Sequence, residues 1–346
     1  MSKPDRREFV KSSMALALAP AATSLLGTNL SRDASAAESA PAPQQKEEFF
    51  KGFKTEDVKT SGTTIHTVYG GNRNGPPLLL LHGIPETHVL WRKVAPALAQ
   101  DYFVVMTDLR GYGDSGKPPG GGDHFAYSKR AMAQDQVEVM KHLGFEKFLL
   151  VGHDRGGRAA HRLALDHPEA LTKLVILDIV PTYLLYQHIT QEFATIFYHW
   201  FLLVQPQPFP ETIVGNSAEY FLKCTLLWLG GRPITEDVPD FIGRDVFQEY
   251  LRTFRQPETI HTICEDYRAA ASIDLEHDKA DLDKKIQCPL LVLWSEKGPF
   301  HRMYNVLQTW QDRSVHAEGH AMPTGHFLPE QMPNELTQEL RTFLKT

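Results

Sequence analysis

The run Val151-Gly152-His153-Asp154-Arg155-Gly156-Gly157 sets a carboxylate among glycines, directly after an apolar segment and ahead of a helix-like one. Glycines permit a turn too tight for side chains, and such a strand-to-helix turn lifts its central residue clear of the backbone. Serine, the usual occupant, attacks a carbonyl carbon. Aspartate changes the chemistry, because a carboxylate displaces a leaving group from saturated carbon and becomes an ester. The plainer alternative for Asp154 is a helix N-cap; the flanking glycines and preceding strand favour a nucleophile.

An ester on the protein has to be hydrolysed, so further groups are needed. His82-Gly83-Ile84-Pro85 follows the apolar run Pro77–Leu81. The backbone N–H groups of Ile84 and Arg155 are the candidates to receive negative charge on the ester oxygen. One such donor is typically worth about 2.7–4 kcal/mol of barrier. Gly325-His326-Phe327, late in the chain, supplies the candidate base that takes a proton from water; His316 and His320 compete with it. The acid that orients this histidine is Asp178, after the run Leu174–Leu177, or Glu296, after Leu290–Trp294. Spacing alone leaves both open. Asp108 to Ser115 reads as a structural loop.

Stepping from residues to elements, Pro77–Leu81, Tyr102–Thr107, Phe148–Val151, Leu174–Leu177 and Leu290–Trp294 are short, apolar and without alternation. They predict buried parallel strands. Helical periodicity separates them, as in Ala131–Leu143 and Gly157–Asp166, so the expected class is α/β with a mostly parallel sheet. From about Pro181 to Tyr267 strand signals stop and aromatic, helix-forming sequence takes over. The expectation is a helical cap inserted after the sixth strand, over the carboxyl edge where open sheets bind ligands. The predicted segments are 37–48 linker, 49–180 first part of the core, 181–265 cap and 266–346 second part of the core.

Residues 1–36 carry Arg6-Arg7, a modest apolar run from Met14 to Leu26 and a small-residue Ala34-Ser35-Ala36 pattern. This resembles a twin-arginine export signal, which predicts a periplasmic or otherwise exported protein without stable membrane insertion after processing. The 346-residue chain has a net charge of −6, and removal of five basic and three acidic residues with this segment leaves −8. Such a charge excludes a nucleic-acid partner. Cys224, Cys264 and Cys288 have no metal-ligand spacing and are expected as buried free thiols.

Taken together, these motifs resemble the haloacetate (fluoroacetate) dehalogenases, relatives of haloalkane dehalogenases and epoxide hydrolases, over about Gly62 to Phe343. Gly152-His153-Asp154-Arg155-Gly156-Gly157-Arg158 is the sharpest match. The resemblance implies the α/β-hydrolase fold and a small anionic substrate whose carboxylate is gripped by Arg155 and Arg158, a task suited to the guanidinium fork. It implies Asp178 as the acid partner, on the match of Leu177-Asp178-Ile179-Val180-Pro181-Thr182. It also implies His199, Trp200 and Tyr250 as halide donors, Trp228 as pocket wall, no cofactor and no metal; a homodimer would fit. The alternatives are an epoxide hydrolase using Tyr183 or Tyr186 with Tyr250, and a ligand-binding protein on an inactive scaffold.

Overall fold

The five expected strands are solvent-free on both sides and so have to be covered on both faces. In the computed structural model, which describes residues 49–345, they join three more in one eight-stranded sheet. In chain order the strands are β1 Lys54–Lys59, β2 Thr64–Gly71, β3 Pro77–Leu81, β4 Phe103–Thr107, β5 Phe148–His153, β6 Leu171–Leu177, β7 Leu290–Ser295 and β8 Ala317–Met322. Their order across the sheet is β1-β2-β4-β3-β5-β6-β7-β8. The β1–β2 and β2–β4 pairs are antiparallel, and every other pair is parallel.

This order creates a place for chemistry. From β3 the chain moves outward to β4, whereas from β5 it moves the other way to β6. The crevice at the carboxyl ends of β3 and β5 is therefore the switch point at which open α/β sheets bind ligands. The loop after β3 carries His82 to Thr87, and β5 ends at His153. Helices α1 Lys129–His142 and α2 Asp154–Asp166 flank β5 in sequence and pack against each other. Ser128 caps α1 by accepting from the Ala131 N–H.

Between β6 and β7 lie only helices: α3 Thr182–Gln187, α4 Gln191–Ile196, α5 Tyr198–Leu203, α6 Phe209–Gly215, α7 Ala218–Leu229, α8 Arg244–Phe254, α9 Pro257–Ala270 and α10 Ile273–Ala280. Their spacing shows why. In α8 the buried set includes Val246, Phe247, Tyr250, Leu251 and Phe254, one apolar stripe at helical period.

Three strands escaped the sequence reading, and each has a physical reason. β1 is polar and largely exposed (KTEDVK), and β2 buries only its middle. The edge strand β8 (AEGHAM) has no apolar run and is half-exposed. Its Gly319 lies opposite Val292, and a side chain there would run into the Val292 carbonyl. The three cysteines are buried and free. Among the described residues no helix is long and apolar enough to cross a membrane. The expected export signal and linker lie outside the described residues.

Candidate active site

Asp154 opens α2 at φ +45°, a left-handed conformation that costs a non-glycine residue about 1–3 kcal/mol. The turn closes because its neighbours lack side chains. A Cβ on Gly152 would come within 2.6 Å of the Gly156 carbonyl oxygen, and one on Gly156 would strike the His82 carbonyl. A Cβ on Gly83 would collide with Asp154 itself, so the two loops meet only as backbone against carboxylate. There the Ile84 N–H donates to Asp154 Oδ1 at 3.1 Å. Burial alone would raise the Asp154 pKa, but His326, Arg158, His153 and Arg155 outweigh it and hold it at about 2.

The imidazole of His326 faces the other oxygen, with Nε2 3.9 Å from Asp154 Oδ2. Its Nδ1 lies 2.6 Å from Asp178 Oδ2, and Asp178 Oδ1 accepts the Ser295 N–H at 2.8 Å. Of the two candidate acids, Asp178 holds the histidine. Glu296 is exposed and joins β8 only through its backbone N–H, which donates to Met322. His316 is exposed, and His320 pairs with Glu339. The His326 N–H donates to Leu229, so the helical insertion anchors the base as well.

Behind His326 stands His153, its ring centre 4.7 Å away. His153 Nε2 is 2.9 Å from the His326 carbonyl, and Nδ1 is 3.0 Å from Glu86 Oε2. Burial lowers the pKa of His153, but Glu86 wins and lifts it to about 9. As an imidazolium it donates from both nitrogens and fixes the loop that carries His326.

The two arginines are also on α2, Arg155 directly after Asp154 and Arg158 about one turn on. Arg155, fully buried, is clamped by Asp266, with Nε to Oδ2 at 2.8 Å and Nη2 to Oδ1 at 2.6 Å. Its guanidinium lies 4.3 Å from the ring centre of Tyr267. Asp266 also accepts from Tyr112 and pairs with Lys129. Arg158 donates through Nη1 to the Val180 carbonyl at 3.1 Å and to Thr182 Oγ1 at 2.9 Å. Among the described residues three guanidinium nitrogens remain buried without a partner: Nη1 of Arg155, and Nε and Nη2 of Arg158. The buried hydroxyl of Tyr186 likewise has none there. Both guanidinium groups and the Tyr186 ring border one indole, that of Trp200. Unmet cationic donors gathered beside a nucleophile form a receptor for a small anion.

Trp200 and its neighbour His199 come from α5 and are buried. Burial lowers the His199 pKa to about 4 against the opposing pull of Asp154, so the ring is neutral and one of its nitrogens donates. Neither ring has a hydrogen-bond partner among the described residues. Tyr267 packs edge-on against both, with ring centres 6.0 and 5.7 Å away.

Comparison with known proteins places this geometry. The alpha/beta hydrolase fold family matches residues 76–333. The chain belongs to that family. The hydrolase is 43% identical over 295 residues to fluoroacetate dehalogenase from a Burkholderia sp, covering 85% of this chain and 95% of the relative. It is 32% identical over 275 residues to soluble epoxide hydrolase from Corynebacterium sp. (strain C12), covering 79% and 91%. A solved structure from Nostoc sp PCC 7120 superposes with a TM-score of 0.82 at 52% identity, covering 86% of this chain and 99% of the other.

One sequence expectation for the hydrolase needs correction. Tyr250 does not join His199 and Trp200; its hydroxyl donates to Glu330 Oε1 at 2.9 Å, where Arg92 also pairs. That buried carboxylate consumes the donor a halide would need. Trp228 is 46% exposed on α7, with its indole N–H donating to the Ile196 carbonyl. The expectation for Arg155 is narrowed, since Asp266 takes Nε and Nη2 and leaves only Nη1 without a partner among the described residues. Tyr267 and Asp266 were missed. Their signal was the buried acidic–aromatic pair within Glu265-Asp266-Tyr267-Arg268, on the inner stripe of α9.

Proposed function

We propose that this hydrolase releases halide from short 2-haloacids, turning fluoroacetate or chloroacetate into glycolate. The observation that carries the reading is the set of three guanidinium nitrogens beside Asp154 that have no partner among the described residues. Arg158, with Nε and Nη2 free side by side, holds the substrate carboxylate; Arg155 adds its free Nη1. This places the α-carbon against Asp154 Oδ2, which attacks in line. The carbon–halogen bond breaks, and the halide leaves with the electron pair toward the N–H groups of His199 and Trp200 and the hydroxyl of Tyr267. Fluoride leaves poorly, so its growing charge needs hydrogen bonds in a site closed to water.

His326 then takes a proton from water, and the hydroxide oxygen bonds to the carboxyl carbon of Asp154. Charge collects on Oδ1, where the Ile84 N–H already donates, joined by the N–H of Arg155 in the first turn of α2. Collapse breaks the bond between that carbon and Oδ2. Glycolate departs with the former Oδ2 and the proton from His326, and Asp154 is regenerated with the oxygen of the water, whose second proton leaves to solvent.

Incubation with fluoroacetate, chloroacetate and styrene oxide separates this reading from an epoxide hydrolase. Halide and glycolate are the expected products, with no diol from the epoxide; diol without halide would reverse the assignment. The epoxide reading needs two tyrosines aimed at one oxygen, and the hydroxyl of Tyr250 is already committed to Glu330.

The low pKa of Asp154 makes a second expectation. Its folded value of about 2 lies below the ordinary 3.8, so the nucleophile stays charged until the pH falls toward 2. The stability it contributes is likewise present above the unfolded value and lost toward about pH 2. Stopped-flow halide release in the first turnover is therefore expected to show no limb from Asp154 between about pH 5 and 8 in the wild type. A limb inside that window that is lost with Asp154 would contradict a carboxylate held so low.

A further inference from the structure

On the antiparallel edge of the sheet, Asp57 of β1 lies opposite His66 of β2, and His66 Nδ1 sits 2.7 Å from Asp57 Oδ1. An ionised carboxylate only accepts, so Nδ1 carries the proton and Nε2 keeps its lone pair. That Nε2 is buried without a hydrogen-bond partner among the described residues, and His66 is only 6% exposed. Facing it at 5.3 Å between ring centres is His88, whose Nδ1 lies 2.8 Å from Asp108 Oδ1. The His66 imidazole is thus oriented by a carboxylate outside the set, Asp57, the arrangement that fixes the tautomer of a metal-ligating histidine and raises its basicity. One donor atom from each of His66, His88 and Asp108 falls within 4.8 Å of the other two. Both histidines line a cavity of about 630 Å³ that also touches Glu56 and Tyr69 and gives ions a route from solvent.

We propose that His66, His88 and Asp108 bind a divalent transition-metal ion of the zinc type, at a site separate from Asp154. Two imidazoles and a carboxylate are ligands suited to zinc, and water from the cavity supplies the fourth position. Zinc–nitrogen distances of about 2.0–2.1 Å require donors roughly 3.3 Å apart. The separations between donors therefore close by up to about 1.5 Å on binding, with the two imidazoles beside the cavity free to move toward the buried Asp108. If His88 ligates through Nδ1, the proton it shares with Asp108 leaves to solvent. The bound ion would tie β2 to the segment after β3, outside the catalytic residues.

The test uses tag-free full-length protein, stripped with chelator and titrated with Zn²⁺ by calorimetry and with Co²⁺ by visible absorption. The expected result is one ion per chain, with tetrahedral Co²⁺ bands and a higher melting temperature in Zn²⁺. His66→Gln should weaken binding at least tenfold and abolish the thermal shift, while metal-free turnover stays within twofold of wild type. Asp57→Asn alters an exposed side chain and should weaken binding about tenfold through His66, which keeps the test decisive if His66→Gln fails to fold. His316→Gln, an exposed control, should change nothing. Absence of stoichiometric binding at micromolar Zn²⁺, or unchanged binding in both His66→Gln and Asp57→Asn, overturns the proposal.

Discussion

His326→Ala is expected to release about one halide per chain from chloroacetate and then stop, whereas Asp154→Asn releases none. In the proposed mechanism the two halves of the site act on different bonds. Asp154 would need only its charge, its position on the turn and the arginines to displace halide, and His326 makes no hydrogen bond to it across 3.9 Å. Hydrolysis is another matter, because water is a poor nucleophile until a base removes its proton. Without the imidazole the ester persists, and steady-state turnover should fall roughly 10⁴-fold or more, as when one member of a catalytic unit is deleted. The trapped protein should carry one carboxymethyl group on the peptide containing Asp154, readable by mass spectrometry of a digest. A His326→Ala protein that turns over repeatedly, or a burst without a labelled peptide, would exclude the ester route. Asp178→Asn should behave like a weaker His326→Ala, since Asp178 acts only through the Nδ1 contact.

The catalytic turn was legible in the sequence because its constraint is local. Glycine at 152 and 156 is demanded by backbone atoms four residues apart or in the neighbouring strand, and that demand leaves its mark in one short run. The buried strands were legible for a similar reason, since runs such as PLLLL need cover on both faces. The choice between Asp178 and Glu296 was not legible from spacing, because both follow parallel strands. It is decided by which carboxylate the loop bearing His326 reaches, a distance of 148 positions along the chain.

The partners of the arginines were hidden for the same reason. Nothing near Arg155 announces Asp266, 111 positions away, yet this carboxylate decides which guanidinium remains free. Tyr250 and Tyr267 are both buried on helices of the insertion, so periodicity cannot rank them. Tertiary packing does: Glu330 captures one hydroxyl, while the other tyrosine lies against His199 and Trp200. Glu330 itself is buried, and burial pushes its pKa up to about 7 despite the pull of Arg92. Glu86 lies close enough to raise it further, so the carboxylates behind the base share one buried network with His153.

This division between the arginines yields the second large effect. Arg158→Met should lower kcat/KM for haloacetates about 10²- to 10⁴-fold, from the loss of two charge-assisted hydrogen bonds of about 1.5–3 kcal/mol each. Burial lowers the pKa of Arg158 to about 10, and Asp154 pulls the other way, so the cation is held among few compensating charges. A substrate carboxylate relieves that isolation. Methionine fills similar space without charge, so the variant should fold and melt near or above the wild type. Arg155→Met strips a partner from buried Asp266 and should instead lower stability by about 3–5 kcal/mol, visible as early melting before any assay. Lysine at 158 keeps the charge but not the paired N–H geometry, and should recover only part of the activity. Equal losses of activity and stability at 155 and 158 would mean that the two guanidinium groups share one task, contrary to the contacts that separate them.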